Sequence, residues 1–264
     1  MSISNLAVVS KTAKIGAGVE IGPFAIIEDG VEIGDNVKIW PHAYIATGTT
    51  IGEGTQVHMG AVVGHEPQDH AFKGEKTFTK IGRNTVIREY ATIHRGTGEG
   101  TATVVGDDCF IMAVAHIGHN CTIGNNVILA NCVLLAGHVS VGDYTFISGN
   151  VVVHQFCRIG AAAMIGGFTG INKDVPPYML VRGPSVVRSL NLVGLRRLKF
   201  SRELINELKE AYKLLFMSDL NTAQAIDGIN NLKPCKELAY LVEFIQGSKR
   251  GICKYKYSDD EYFE

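Results

Sequence analysis

A chain of 264 residues with 25 Lys and Arg against 26 Asp and Glu can bury a core in one or two domains, and no global field recruits nucleic acid or an acidic membrane. The opening MSISNLAVVSKTAKIG has no basic region followed by a long apolar run, and no apolar window nears the roughly 20 residues that span a bilayer, so neither export nor stable membrane insertion is expected. The six cysteines (Cys109, Cys121, Cys132, Cys157, Cys235 and Cys253) form no CxxC pair, which predicts a reduced, cytoplasmic protein without a disulfide or zinc framework.

From the first residues an aliphatic side chain recurs every six positions: Ile3, Val9, Ile15, Ile21, Ile27, Ile33, Ile39, Ile45, Ile51, Val57, Val63. The pattern resumes at Ile81, Ile87 and Ile93, then runs from Val105 through Ile117, Leu135 and Val153 to Ile171. Glycine often follows the aliphatic, and a small or β-branched residue usually sits four places after it, as Val19, Ala25, Val31 and Cys121 do. Neither a 3.6-residue nor a two-residue period sustains this spacing. A triangular coil with three short flat sides does, each side burying one large and one small residue, with glycine relieving the corner. Eighteen residues then make one turn, and turns stack at about 4.8 Å. The expected fold is an all-β solenoid, the left-handed parallel β-helix of hexapeptide repeats, over residues 1–184.

Two polar, glycine-containing stretches interrupt the repeat, near 64–80 (GHEPQDHAFKGEKTFTK) and 96–104 (GTGEGTATV). They read as excursions thrown out of the coil, and such loops in a regular scaffold commonly carry function. After NKDVPPYMLVRGP the repeat stops. From about Ser185 the pattern turns helical, giving a C-terminal α-helical domain over 185–264. Ser201 is placed to cap RELINELKEAYKLLF, with Leu204, Leu208, Tyr212 and Leu215 along one face, and further helices fit 221–232 and 235–246. The ending KYKYSDDEYFE is polar and expected to fray.

Stacking turns sequence spacing into proximity. Ile117, Leu135 and Val153 share one column, so His119, Gly137 and Gln155 share the one displaced by two, flanked by His138 and His154. Val63 falls on the same side whether the excursions replace whole coils or extend single corners, so both emerge beside these histidines. In the second case His94 joins the neighbouring column. Three readings are open for the cluster: outward-facing polar residues, as a lone His42 or His58 would be; a zinc site shared between subunits, as in γ-class carbonic anhydrases, whose ligand spacing this chain does not obviously match; and metal-free general-base catalysis. The third suits the constellation, because a neutral imidazole can take a proton from a sugar hydroxyl and a backbone N–H can hold the oxyanion of acyl transfer. Gly137, without a side chain, suits a close approach to His119.

The stretches PQD, IREYATIHRGT, AHIGHNCTIGNN, ILAN, LAGHVSVGD, VVHQFCRIGAAAMIGG, DVPPY and FSRE resemble those of the UDP-N-acetylglucosamine O-acyltransferases, along almost the whole chain. The resemblance implies transfer of a 3-hydroxyacyl group from acyl carrier protein to the sugar 3-hydroxyl, the first step of lipid A biosynthesis, by a homotrimer with each site between two subunits and no cofactor. It places the base at His119 and the oxyanion donor at Gly137, with His116, His138, His154 and Gln155 lining the cleft. Gln68, Asp69 and His94 match sugar and phosphate contacts, and Asn191 and Arg197 match the nucleotide region. Gly167 matches the position that limits acyl length, where glycine leaves room for a longer chain. Four positions depart from the pattern: Asn120 stands where aspartate is usual, Val193 for a glutamate, Leu198 for a second arginine and Ala71 for a lysine. Asn120 can still accept an imidazole N–H, but without charge.

Arg182, Arg188, Arg196, Arg197, Lys199 and Arg202 form a basic run with no acid before Glu203. It would steer an acidic carrier protein, unless it is simply a solvated face. Transfer to a 3-amino sugar nucleotide, a zinc enzyme and a non-catalytic scaffold are the alternatives.

Overall fold

A computed structural model of the chain describes residues 2–255, so the polar ending expected to fray lies, beyond Tyr255, outside the described residues. A regular coil is built from three two-residue strands, such as Glu20–Ile21, Ile26–Ile27 and Glu32–Ile33, and the next coil repeats them 18 residues on. Stacking gives sheets of 12, 9 and 8 strands, parallel throughout the coil. The fold class is the one expected, a left-handed parallel β-helix followed by helices.

The hexapeptide aliphatics point inward. In the second sheet Ile27, Ile45, Val63, Ile93, Ile117, Leu135, Val153 and Ile171 stack in one register, each 3 % exposed or less. Burial of one such side chain is worth about 1.5–3 kcal/mol, and repetition makes the stack stable.

The corners differ from the expectation. Glycine after the aliphatic does not make the bend; the residue two places later does, in the left-handed region, as Asn36, Asn84 and Asn126 show with φ of 56°, 51° and 56°. The glycine is needed for close approach: a Cβ on Gly52 would lie 2.6 Å from the backbone of Gly82 in the next coil.

Both excursions extend single corners. Val63 pairs with Ile93 and Ile93 with Ile117, across 30 and 24 residues instead of 18. They are shorter than expected, because Val62–His65, Phe78–Ile81 and Ala102–Val105 are strands. The irregular parts are 66–77 and 95–101, and both leave the corner between the second and third sheets.

The helical reading from Ser185 is corrected: Val186–Leu190 is a strand, antiparallel to Met179–Arg182. The β-branched and leucine-rich runs on either side of Gly183 and Pro184 make a hairpin that extends the first sheet, and Lys254–Tyr255 pairs with its outer strand. Helices follow as α1 (Leu192–Arg197), α2 (Arg202–Phe216), α3 (Thr222–Asn230) and α4 (Lys236–Gln246). Ser201 caps α2 as expected, accepting the Leu204 N–H at 3.2 Å. Buried Asp174 fastens the C-terminal segment to the coil, accepting from the Arg158 N–H at 2.9 Å and the Ser248 hydroxyl at 2.8 Å. No described helix is long and apolar enough to cross a membrane.

Candidate active site

A cleft of about 730 Å³ runs along the outer face of the second sheet to the corner from which the excursions leave, lined by Gln68, His94, His116, His119, Gly137 and Gln155 among others. His119 sits at that corner with its side chain only 14 % exposed. Its imidazole lies against Gly137 of the next coil, where an added Cβ would come within 2.4 Å of Nε2. Stacking explains this contact, since a coil step carries residue 119 onto residue 137. The Gly137 carbonyl accepts from the Phe156 N–H at 3.1 Å, while its own N–H has no partner among the described residues.

The two imidazole nitrogens face different groups. Nδ1 lies 2.8 Å from Asn120 Oδ1, and Nε2 lies 3.6 Å from Asp69 Oδ2, brought in by the first excursion. Asp69 is itself held in a tight turn, its Oδ1 accepting the Ala71 N–H at 3.0 Å. Arg95 fixes that excursion, pairing with Glu66 at 3.2 Å, lying 5.3 Å from the Phe72 ring and donating its N–H to the His65 carbonyl.

His94 and His116 stand beside the base, with rings 5.2 Å apart. His94 Nδ1 bonds the Glu66 carbonyl, and His116 Nδ1 lies 2.8 Å from the Thr92 hydroxyl. Burial, then the neighbouring imidazoles His94 and His119, push His116 down to about 4, so it is neutral near pH 7. Burial likewise lowers His94. His138 packs edge-on to His119 at 5.2 Å and stacks on Phe156 at 4.7 Å, and burial, then His119, lower it. Among the described residues no group of three or more His, Cys, Asp or Glu is placed to hold a metal ion.

Other residues singled out from sequence do not line this cleft. His154 is exposed and bonds the Gln155 carbonyl. Gly167 lies further along the coil, where a Cβ would stand 3.3 Å from the Gly149 carbonyl. Asn191 is buried, and its amide caps α1 by accepting from the Gly194 N–H at 3.0 Å and donating to the Ala162 carbonyl at 2.9 Å. Arg197 is exposed in the last turn of α1. Arg182 lies over Gly166, and Arg188 sits in the outer hairpin strand. Arg196, Arg202 and Lys209 surround a separate depression of about 450 Å³, and Lys199 is exposed nearby in sequence.

Sequence reasoning missed several contributors. Leu134 and Val152 line the cleft from outward positions of the second sheet, and an apolar residue at an outward position was the available signal. Thr97, which holds Asn120 from the second excursion, carried none.

Comparison with known proteins bears out the fold. The family described as "Udp N-acetylglucosamine O-acyltransferase; Domain 2" matches residues 174–253, and "Bacterial transferase hexapeptide (six repeats)" matches 12–47 and 102–137. An acyl-[acyl-carrier-protein]–UDP-N-acetylglucosamine O-acyltransferase of Trichlorobacter lovleyi is 51% identical, over 96% of this chain and 100% of its own length. The Aquifex aeolicus protein of the same name is 49% identical over 74% of this chain and 76% of its own. The solved UDP-N-acetylglucosamine acyltransferase of Bacteroides fragilis superposes with a TM-score of 0.91 at 42% identity, covering 95% of this chain and 99% of that one.

Proposed function

The chain belongs to the UDP-N-acetylglucosamine O-acyltransferase family, and from that premise we propose that it moves a 3-hydroxyacyl group from acyl carrier protein to the sugar 3-hydroxyl, with His119 as general base. The carrying observation is one imidazole, Nδ1 held by Asn120, with Nε2 turned to Asp69 and Gly137 at the mouth of the cleft.

In this mechanism Asp69 and Gln68 orient the acceptor sugar, and Nε2 takes the proton of the 3-hydroxyl as its oxygen attacks the thioester carbon. A C–O bond forms, and the Gly137 N–H stabilises the tetrahedral oxyanion. Collapse breaks the C–S bond, and the imidazolium returns its proton to the departing carrier thiolate. Neutral His116 and His94 add no positive charge beside a base that must itself become cationic. The apolar wall of Leu134 and Val152 suits an acyl chain, and Gly167 lies where a longer chain would end. The product enters lipid A biosynthesis as its first intermediate, in the cytoplasm.

The active unit in this reading is a homotrimer, in which a neighbour closes the open side of the cleft and supplies the nucleotide contacts of Asn191 and Arg197. Arg182, Arg188, Arg196, Lys199 and Arg202 receive the acidic carrier protein. The test is mass-spectrometric product detection with a panel of acyl carriers and both 3-hydroxyl and 3-amino acceptors. Wild type should acylate UDP-N-acetylglucosamine, and His119→Ala should lose about 10²–10⁴-fold in turnover. Undiminished turnover in the variant would remove the general-base reading, and transfer to neither acceptor would remove the activity.

A further inference from the structure

Asn120 occupies the left-handed region at φ 58°, where Asn and Asp are among the few side chains readily accepted. One residue of the second excursion holds both ends of its amide. The Thr97 N–H donates to Oδ1 at 2.8 Å, and Nδ2 donates to the Thr97 carbonyl at 3.2 Å. Turning the amide over would set N–H against N–H and carbonyl against carbonyl, so its orientation is fixed. Oδ1 therefore faces His119 as an acceptor, and Nδ1 must carry the imidazole proton. The lone pair is left on Nε2, the nitrogen that faces the cleft.

We propose that the second excursion is a positioning element, in which the Thr97 peptide clamps Asn120 and thereby holds His119 as the Nδ1–H tautomer without placing a charge beside it. The proposal rests on the general-base reading for its catalytic consequence, though not for its geometry. An aspartate at 120 would accept from both Thr97 N–H and His119, but would turn an oxygen towards the Thr97 carbonyl, where Nδ2 now donates.

The clamp is fastened to the first excursion. Glu75 Oε1 accepts the Gly98 N–H at 2.8 Å, Glu99 accepts the Lys76 N–H at 3.2 Å, and the Gly100 N–H donates to the Lys76 carbonyl at 2.9 Å. The loop that brings Asp69 to Nε2 and the loop that governs Nδ1 are thus one connected body. The groups facing His119 are then Asp69 on the Nε2 side, His138 against the ring edge, His116 and His94 alongside, and the neutral amide at Nδ1. Its one close carboxylate among the described residues, Asp69, lies on the substrate side.

The test combines nitrogen-15 NMR of the histidine side chains, His119 being assigned with His119→Ala, and pH profiles of kcat/KM for wild type, Asn120→Gly and Asn120→Asp. Glycine removes the amide at a positive φ without backbone strain. Expected are Nδ1–H shifts for wild-type His119, mixed tautomers in N120G with kcat about tenfold lower and KM little changed, and in N120D an acid limb about one unit higher in pH. Faster amide exchange at Thr97 should accompany N120D. An Nε2–H tautomer in the wild type, or an N120G variant that keeps both tautomer and kcat, would overturn the clamp. Failure of the general-base reading is separate, appearing as full turnover in His119→Ala while wild type still shows the Nδ1–H signal.

Discussion

Gly137 is the position where one methyl group has the largest expected effect. Its backbone is not in the left-handed region, so alanine brings no φ strain, yet the new Cβ would stand 2.4 Å from His119 Nε2 and the ring must swing away. Gly137→Ala should lose on the order of 100-fold in kcat, since about an ångström of misplacement is enough, while Tm moves by only a few degrees; steady-state kinetics beside thermal denaturation checks both. His116 makes a different prediction. Burial holds it near 4 against an ordinary 6.5, so between those values the unfolded chain binds more protons than the folded one. Stability contributed by neutral His116 is complete above about 6.5, falls as pH drops and is gone below about 4. Allowing for partial exposure, the loss is on the order of 2 kcal/mol. His116→Gln should flatten that slope in urea unfolding at pH 4.5, 5.5 and 6.5, and an unchanged slope would reject the assignment. The meeting of His119 with Gly137 was readable in the spacing of 18, because a solenoid converts sequence distance into height. The Thr97 clamp that fixes the Asn120 amide was not, because Thr97 reaches Asn120 from a loop with no repeat.

Elements follow the same division. The inward column from Ile27 to Ile171 and the capped α2 were legible because each repeats a local rule: one aliphatic per side, or a serine before a helical stripe. The hairpin at Met179–Leu190 was not, since its register is set by the sheet it extends and prolines masked its strand character. Nor were the limits of the first excursion, whose ends continue the ladder before leaving it. Excursion 66–77 instead depends on Arg95, which pairs with Glu66, lies on the Phe72 ring and has a side chain only 11 % exposed. Removing it should release the loop without unfolding the coil, because the strands on both sides keep their ladder bonds. Arg95→Ala is therefore expected to speed hydrogen exchange across 66–77 and raise KM for UDP-N-acetylglucosamine about tenfold, with exchange in the coil unchanged. Unchanged exchange in 66–77 would show that Arg95 is not the anchor.

At the scale of the molecule, the three faces of the prism are unequal. The third sheet presents Lys14, Glu32, Lys80, Thr122 and Arg158 outward. The second presents Val8, Ile26, Leu134 and Val152, all exposed, and its entering corner adds Tyr90, Val114 and Phe168, the last 85 % exposed. Exposed apolar side chains gathered on one face suit contact with another chain. Tyr90, Val114, Leu134 and Val152 belong to the cleft lining itself, so under the homotrimer reading association and catalysis should fail together. Phe168 is the more selective probe of association, because it is not among the residues that line the cleft. Phe168→Glu puts a charge where an apolar contact is expected, and burying an unpaired charge is strongly unfavourable. Light scattering should find the wild type at three times the chain mass and the variant shifted towards one chain, with activity falling in proportion to the lost trimer. A wild type that is monomeric and fully active at micromolar concentration would show that one chain closes the cleft alone.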